Sequence, residues 1–496
     1  MSETRNSSRE FLFNTHMNKM GFMTSAWWKL FWAILCLKGL ILAVDHTPMF
    51  FMGDSGTYII TALSGWIPPD RSFAYGFLIK LITWPWRNLT WFISFQIVLS
   101  SATCWMCARL LSRYFECRFK VCVLSGILLA VFPLQLLYER YLLTETVAGF
   151  LFVIYLSLLL EYIAAPKFYK IGVLALVGVL LVSIRISFLP CVFALAACVP
   201  VLGWWNDWKV KTNNVESLPF SPRRMQKLIV SIAISLGSFV LVQGTYQRIN
   251  GLLSHRAPAY SYADGFFLLC NFSPLCKPDY YPDYKNRDKV FSTLKYDLKD
   301  RRMSDPHRWG EGGLVSNIVK NSPDLDEANR RAKETAIQIV KNNPAGIVRL
   351  SWERFLDYFD IQLLKEAMKG DKQNIPLPGY MVQILRENYN YQIMHPEELK
   401  TLSNQWYFGL FWWPLVLLFT PFFILGVGLF IKKPLYPSLL AVLLCAVFIE
   451  SVAIVLSNGP IVRYLHPLEY LLLISMALLI NRTPFGREKN GISCST

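Results

Sequence analysis

Four short stretches hold the residue types that chemistry needs. The first reads Gly53-Asp54-Ser55-Gly56-Thr57-Tyr58 and resumes, after an apolar interval, as Pro68-Pro69-Asp70-Arg71-Ser72-Phe73-Ala74-Tyr75-Gly76. The second is Tyr138-Glu139-Arg140-Tyr141-Leu142-Leu143-Thr144-Glu145. Arg185 closes an apolar run, and Arg463-Tyr464-Leu465-His466-Pro467-Leu468-Glu469-Tyr470 opens the last one. A carboxylate such as Asp54 or Glu145 can take a proton from a hydroxyl. Arginine binds phosphate through parallel N–H groups and stabilises charge that grows on a leaving phosphate.

Each stretch also has a plain structural reading. Asp54 or Ser55 can cap a short interfacial helix, Thr57–Leu63. Glu139 and Arg140 can pair on a solvated turn, and Arg185 can anchor the end of a span. Glu469 falls inside an apolar run, where an ionisable group needs a partner; Arg463 and His466 are the candidates, and Glu450 in the preceding run is a similar case.

The elements that would position these residues are apolar. Hydrophobic residues make up 53% of 496 positions and charged residues 17%, with a mean hydropathy of +0.33. A soluble domain carries about 25% charge, so this balance suits lipid as solvent. Nearly charge-free runs occur at Trp27–Val44, Trp91–Leu110, Val121–Leu137, Thr146–Leu160 and Ile171–Ser187. Five more follow at Phe188–Leu202, Leu228–Gln243, Phe408–Ile431, Leu435–Leu456 and Leu468–Ile480. A crossing takes roughly 20 helical residues, so the expected fold is an all-α polytopic membrane protein of about ten transmembrane helices. Asp45, His46 and Pro48 follow the first run without a small-residue cleavage site, which predicts a retained signal anchor.

The net charge of +16 is placed for a bilayer and does not point to nucleic acid. Arg5, Arg9 and Lys19 precede the first run and Lys29 lies at its start. Arg109, Arg113, Arg118 and Lys120 fill the second connection, Lys167 and Lys170 the fourth. Lys209, Lys211, Arg223, Arg224 and Lys227 fill the sixth, Lys432 and Lys433 the eighth, and Arg482, Arg487 and Lys489 follow the last run. Every second connection is basic, as cytoplasmic loops are. That assigns both tails, 1–26 and 482–496, to the cytoplasm, and residues 45–90, 138–145, 245–405 and 457–466 to the exterior.

The chain then divides into a transmembrane module at 27–244, a small, mostly helical exterior domain at 245–405 between spans seven and eight, and closing spans at 406–481. Within that domain Ser322-Pro323-Asp324 predicts a helix running to Lys341, with Ser322 as its N-cap. Asn343-Pro344 predicts a second, Ala345–Phe359, lying on the membrane through Ile347, Leu350, Phe355 and Tyr358. Residues 280–309 carry too little pattern to assign. Of the eleven cysteines, Cys270 and Cys276 alone fall in the exterior domain, where a disulfide or two free thiols are both open; no zinc or haem spacing occurs.

On this topology Asp54, Arg71, Glu139, Glu145, Arg185, Arg463, His466 and Glu469 share one membrane face. Acids beside arginines at headgroup depth suit a phosphate-containing lipid and describe glycosyl transfer from a lipid-phosphate sugar. A transporter or flippase for a lipid-linked or small anionic substrate is the alternative, although neither inverted repeats nor midplane helix breaks are visible.

These stretches resemble those of the C-type (GT-C) membrane glycosyltransferases, in particular the group of protein O-mannosyltransferases and the bacterial transferase that adds aminoarabinose to lipid A. The likeness lies in Gly53-Asp54-Ser55 with Tyr58 and Arg71–Gly76, in Tyr138–Glu145, in Ala336–Pro344 leading to Phe355, and in Arg463–Pro467. It implies an inverting transfer from a polyprenyl-phosphate-linked sugar to a lipid, glycan or protein acceptor, at a bacterial inner membrane with the site facing the periplasm. Asp54 would be the base. Arg463 or Arg185 would hold the lipid phosphate, with Arg71, Tyr58, Glu139, Arg140 and His466 completing the site. Where relatives often pair two acids in the first loop, Ser55 follows Asp54, so the second acid is Glu145 or Glu139. Metal use varies across the family; no metal is expected to be required, and a divalent cation remains compatible with the chemistry.

Overall fold

The computed structural model describes residues 25–51, 53–212, 222–372, 377–393, 395, 398, 401–410, 412–431, 435–457 and 459–482. Arg5, Arg9, Lys19, Lys432, Lys433, Arg487 and Lys489, with nearly all of both tails, lie outside the described residues, as do the side chains of Lys209, Lys211 and Arg223. Among the described residues the chain is helical, and strand-like pairing is confined to one parallel bridge between Met49 and Tyr141.

The first half runs α1 (Ser25–Val44), α2 (Asp54–Ser64), α3 (Ala74–Thr83), α4 (Leu89–Phe115), α5 (Phe119–Ala130), α6 (Pro133–Tyr138), α7 (Glu145–Ala164), α8 (Phe168–Ile184), α9 (Leu189–Thr212) and α10 (Pro222–Ser254). Small helices follow: α11 (Asp264–Asn271), α12 (Arg287–Ser292), α13 (Ser304–Trp309) and α14 (Leu314–Lys320). Longer ones come next, α15 (Leu325–Asn342), α16 (Pro344–Asp357), α17 (Ile361–Lys372) and α18 (Gly379–Tyr389). The chain closes with α19 (Leu402–Gly409), α20 (Trp413–Leu418), α21 (Thr420–Gly428), α22 (Tyr436–Val455), α23 (Val462–Leu465) and α24 (Leu468–Arg482).

Six of these helices are long and apolar enough to cross a membrane: α1, α4, α7, α10, α22 and the stretch Ile186–Asp207 that contains α9. Four shorter apolar helices accompany them, namely α3, α5, α8 and the start of α24. The architecture is that of a multi-pass helical membrane protein. Two expected spans are interrupted. Val121–Leu137 breaks after Ala130, because Pro133 lacks an N–H and holds Phe132 in an extended conformation. Phe408–Ile431 divides into α19, α20 and α21, with Pro414 and Pro421 each in the first turn of a new helix.

One continuous apolar core unites the long helices, and α7 packs against α4, α8 and α9 at its centre. A second core joins residues of α11, α12, α14, α15 and α16. Here the capping expectations shift. Asp324, not Ser322, caps α15, its carboxylate accepting the Glu327 N–H at 2.8 Å; Asn343 caps α16 through the Gly346 N–H at 3.0 Å. Of the four residues expected on the membrane, Leu350 of α16 and Tyr358 just after it are buried and Ile347 packs on the second core, whereas the half-buried Phe355 stacks on Trp352. The exposed stripe is Val348, Trp352 and Leu356. Cys270 and Cys276 are both free thiols.

Candidate active site

Backbone pairing joins the two loops that carry the first acids. The Met49 N–H donates to the Arg140 carbonyl at 2.7 Å, and the Leu142 N–H donates to the Met49 carbonyl at 3.0 Å. Ser55 adds a second tie: its hydroxyl accepts the Phe51 N–H at 2.7 Å and donates to the Leu142 carbonyl at 3.0 Å. Gly53 begins α2 with a φ of 78°, a left-handed conformation that favours glycine, and no side chain caps the helix. The capping role considered for Asp54 and Ser55 is therefore not the one they have. Asp54 is the first residue of α2, and its carboxylate is left to partners outside the helix. α2 turns back on α3 at close range, since a Cβ on Gly76 would lie 2.5 Å from Thr61.

Asp54 lies between two guanidiniums. Arg71 donates to Oδ1 at 2.5 Å, and Arg463 to Oδ2 at 2.6 Å. Burial would raise the Asp54 carboxyl, but the charges of Arg463 and Arg71 outweigh it and hold the group well below the usual carboxylate range. Arg71 also binds Asp70 through Nε at 3.0 Å and lies 4.8 Å over the Tyr58 ring. Arg463 lies 4.6 Å over Phe51.

A second pair flanks the first. Arg185 Nη1 meets Glu145 at 2.6 Å, Nη2 donates to the Arg463 carbonyl at 3.0 Å, and Nε donates to Ser187 at 3.2 Å. Glu145 opens α7, where the partial positive charge of the helix N-terminus favours a carboxylate. Arg185 terminates α8 and is buried, so it is not a loose interfacial anchor.

All six of Asp54, Tyr58, Arg71, Glu145, Arg185 and Arg463 line one cavity of about 840 Å³. Phe267, which packs against the second core, and Asp305, Arg308 and Trp309 of α13 also line it. Arg308 stands 4.4 Å over the Phe267 ring and binds Asn271 at 2.9 Å. Trp309 and Trp66 also line the cavity, 65% and 49% exposed as residues. Asp70 and the α13 residues were not anticipated. Asp70 offered a signal beside Arg71, whereas α13 sits in the weakly patterned stretch 280–309.

Glu139, Arg140 and His466 are brought together elsewhere. None lines the cavity, and all three are sealed inside the helix bundle. Glu139 pairs with Lys38 of α1 and accepts the Ser100 hydroxyl at 2.6 Å. Arg140 lies 3.7 Å from Glu139, and its guanidinium nitrogens make no hydrogen bond. His466 Nε2 is 3.0 Å from Glu469, which also accepts from Gln135. The partner of Glu469 is thus His466, with Arg463 committed to Asp54. Lys38 is not among the expected residues, although a lysine in the middle of an apolar run carries its own signal. Tyr75 stands between the two clusters: its ring contacts Tyr58 edge-on at 4.6 Å, and its hydroxyl donates to the Leu143 carbonyl. Gln96 then donates to the Tyr141 carbonyl at 2.9 Å and the Glu139 carbonyl at 3.3 Å.

No three His, Cys, Asp or Glu side chains converge as metal ligands among the described residues. The carboxylates of Asp54, Asp70 and Glu145 in the cavity are each paired with an arginine. Comparisons with models of known families, with curated proteins and with solved structures found no match.

Proposed function

We propose that this protein is a membrane glycosyltransferase that moves a sugar from a polyprenyl-phosphate donor to a lipid, glycan or protein acceptor, with inversion. The observation that carries the reading is Asp54 held between Arg71 and Arg463 on the wall of a cavity about 840 Å³ in volume. An acid and convergent guanidiniums in a concave site provide a base for a hydroxyl and a holder for a phosphate. The acceptor oxygen bonds to the anomeric carbon as the bond from that carbon to the phosphate oxygen breaks. The electron pair leaves with the phosphate, facing Arg463, Arg71 and Arg185, and the acceptor proton passes to Asp54. Trp66 and Trp309 offer amphipathic rings to the sugar.

In this reading the chain crosses the membrane about ten times in a GT-C-like order, as the lengths of its apolar runs and its alternating basic loops suggest. Residues 245–405 roof the site on the periplasmic face of a bacterial inner membrane. The test is transfer of a labelled sugar from a polyprenyl-phosphate donor by the purified protein. Asp54→Asn is expected to lower the rate by roughly 10²–10⁴-fold, the usual worth of a general base. Transfer at the wild-type rate in that variant would refute the assignment. Movement of donor across vesicles with no new glycosidic bond would replace it with a transporter. Mass spectrometry of envelope glycolipids and glycoproteins with and without the gene would identify the acceptor.

A further inference from the structure

A carboxylate with each oxygen bound to a separate guanidinium is a poor base. The inner cavity is also already balanced in formal charge: Asp54, Asp70 and Glu145 face Arg71, Arg185 and Arg463. A phosphate entering it must exchange with an acid already there. We infer that Asp54 occupies the phosphate site of its own enzyme, and that donor phosphate displaces it from Arg463 before it can take a proton. The inference rests on the reading of these arginines as phosphate ligands.

The geometry says which arginine changes partner. Arg185 is fixed by Glu145, by Ser187 and by the Arg463 carbonyl. Arg71 keeps Asp70 when it releases Asp54. Among the described residues Arg463 has one carboxylate partner, Asp54, reached through Nη1. Its fork is therefore the element free to turn to an incoming phosphate. Asp54 is then relieved of one cation and placed beside new negative charge, and both changes favour protonation.

The exchange imposes an order. Donor binds first, because an acceptor arriving alone meets an acid that is fully engaged. When the bond to the anomeric carbon breaks, the phosphate gains a second negative charge and holds Arg463 more firmly while Asp54 takes the acceptor proton. Departure of the lipid phosphate returns Arg463 to Asp54, and the restored pair expels the proton to water. The site is reset without another residue.

The experiment measures binding, not turnover. Farnesyl phosphate is titrated into the full chain in detergent, with farnesol as the uncharged control and inorganic phosphate as the probe without lipid. Asp54→Asn removes the competing charge and is expected to tighten farnesyl phosphate by roughly tenfold or more, about 1.4 kcal/mol. Arg463→Gln should weaken it, and farnesol should bind all forms alike. Tightening of inorganic phosphate as well would assign the exchange to the headgroup alone and supports it; no tightening of either phosphate in a folded Asp54→Asn protein overturns it. A second readout needs no variant. In the wild-type protein, farnesyl phosphate should shift the carboxylate stretch in a difference infrared spectrum where farnesol does not, and an unshifted band also overturns the exchange. If the shift and tightening occur but no sugar is transferred, the exchange stands and the glycosyltransferase reading falls. If transfer depends on Asp54 but neither is seen, the reverse holds.

Discussion

Two clusters of the same ingredients sit a few residues apart in this molecule and are built for opposite ends. Asp54, Glu145 and three arginines border an open cavity, with the Asp54, Arg71 and Arg463 side chains still 16–19% exposed. Lys38, Glu139, Arg140, His466 and Glu469 are at most 1% exposed and adjoin no such opening. Composition alone does not separate acid–arginine pairs that exchange partners from those that cannot. Access does: an ion pair beside a cavity can trade one partner for a ligand, whereas a sealed one that loses a partner leaves a bare charge.

The largest effect should come from breaking the sealed cluster. Glu139→Leu strands the buried cations of Lys38 and Arg140 and is expected to cost about 3–5 kcal/mol of stability, whereas Glu139→Leu with Lys38→Met and Arg140→Met recovers much of it. Unfolding temperatures of the two variants in detergent check this; equal loss in both would erase the distinction between the clusters. Arg185→Lys should invert the balance of effects. Losing the fork geometry should lower transfer by roughly tenfold or more, while the charge retained beside Glu145 limits the stability cost of the lost hydrogen bonds to about 1–2 kcal/mol.

A pH scan sharpens the contrast from the other side. The folded value of Asp54 lies below its value in the unfolded chain, about 3.9, so its pairs contribute fully only above that value. The contribution is lost as pH falls through the depressed folded value. Unfolding temperatures of wild type and Asp54→Asn should therefore differ by a constant amount from pH 5 to 8 and converge only in stronger acid; convergence already near pH 5 would contradict the clamp. The smallest change should be Tyr75→Phe, which removes the hydroxyl that donates to the Leu143 carbonyl. About 1 kcal/mol of stability is expected to go with that hydrogen bond. A larger fall in transfer than in stability would show that the clusters communicate through Tyr75.

Much of this is legible in the sequence. Apolar runs and alternating basic loops marked the helices, and sorting residues by loop placed Asp54, Arg71, Arg185 and Arg463 together although they are scattered along the chain. Glu139 and Arg140 were misplaced because a short polar stretch between apolar runs reads as a solvated turn. Pro133 starts a helix that folds the stretch back into the bundle instead. Pro414 and Pro421 carried the same message for the expected eighth span. Arg308 and Trp309 had no local signature, because their place on the cavity wall depends on how the second core packs.

The ion pair of Arg463 with Asp54 joins positions 409 apart in the chain. At a typical ribosomal pace of about 5–20 residues per second, roughly 20–80 s separate the synthesis of the two residues. Throughout that interval Asp54 can already stand at the start of α2 with Arg71 beside it, while the guanidinium that would cradle a phosphate has not been made. Under the proposed function, the growing chain thus enters the membrane with its acid in place and its phosphate site incomplete. The contact of Arg463 with Asp54 is a late event in biosynthesis, made only after α22 and the loop that follows it have been synthesised.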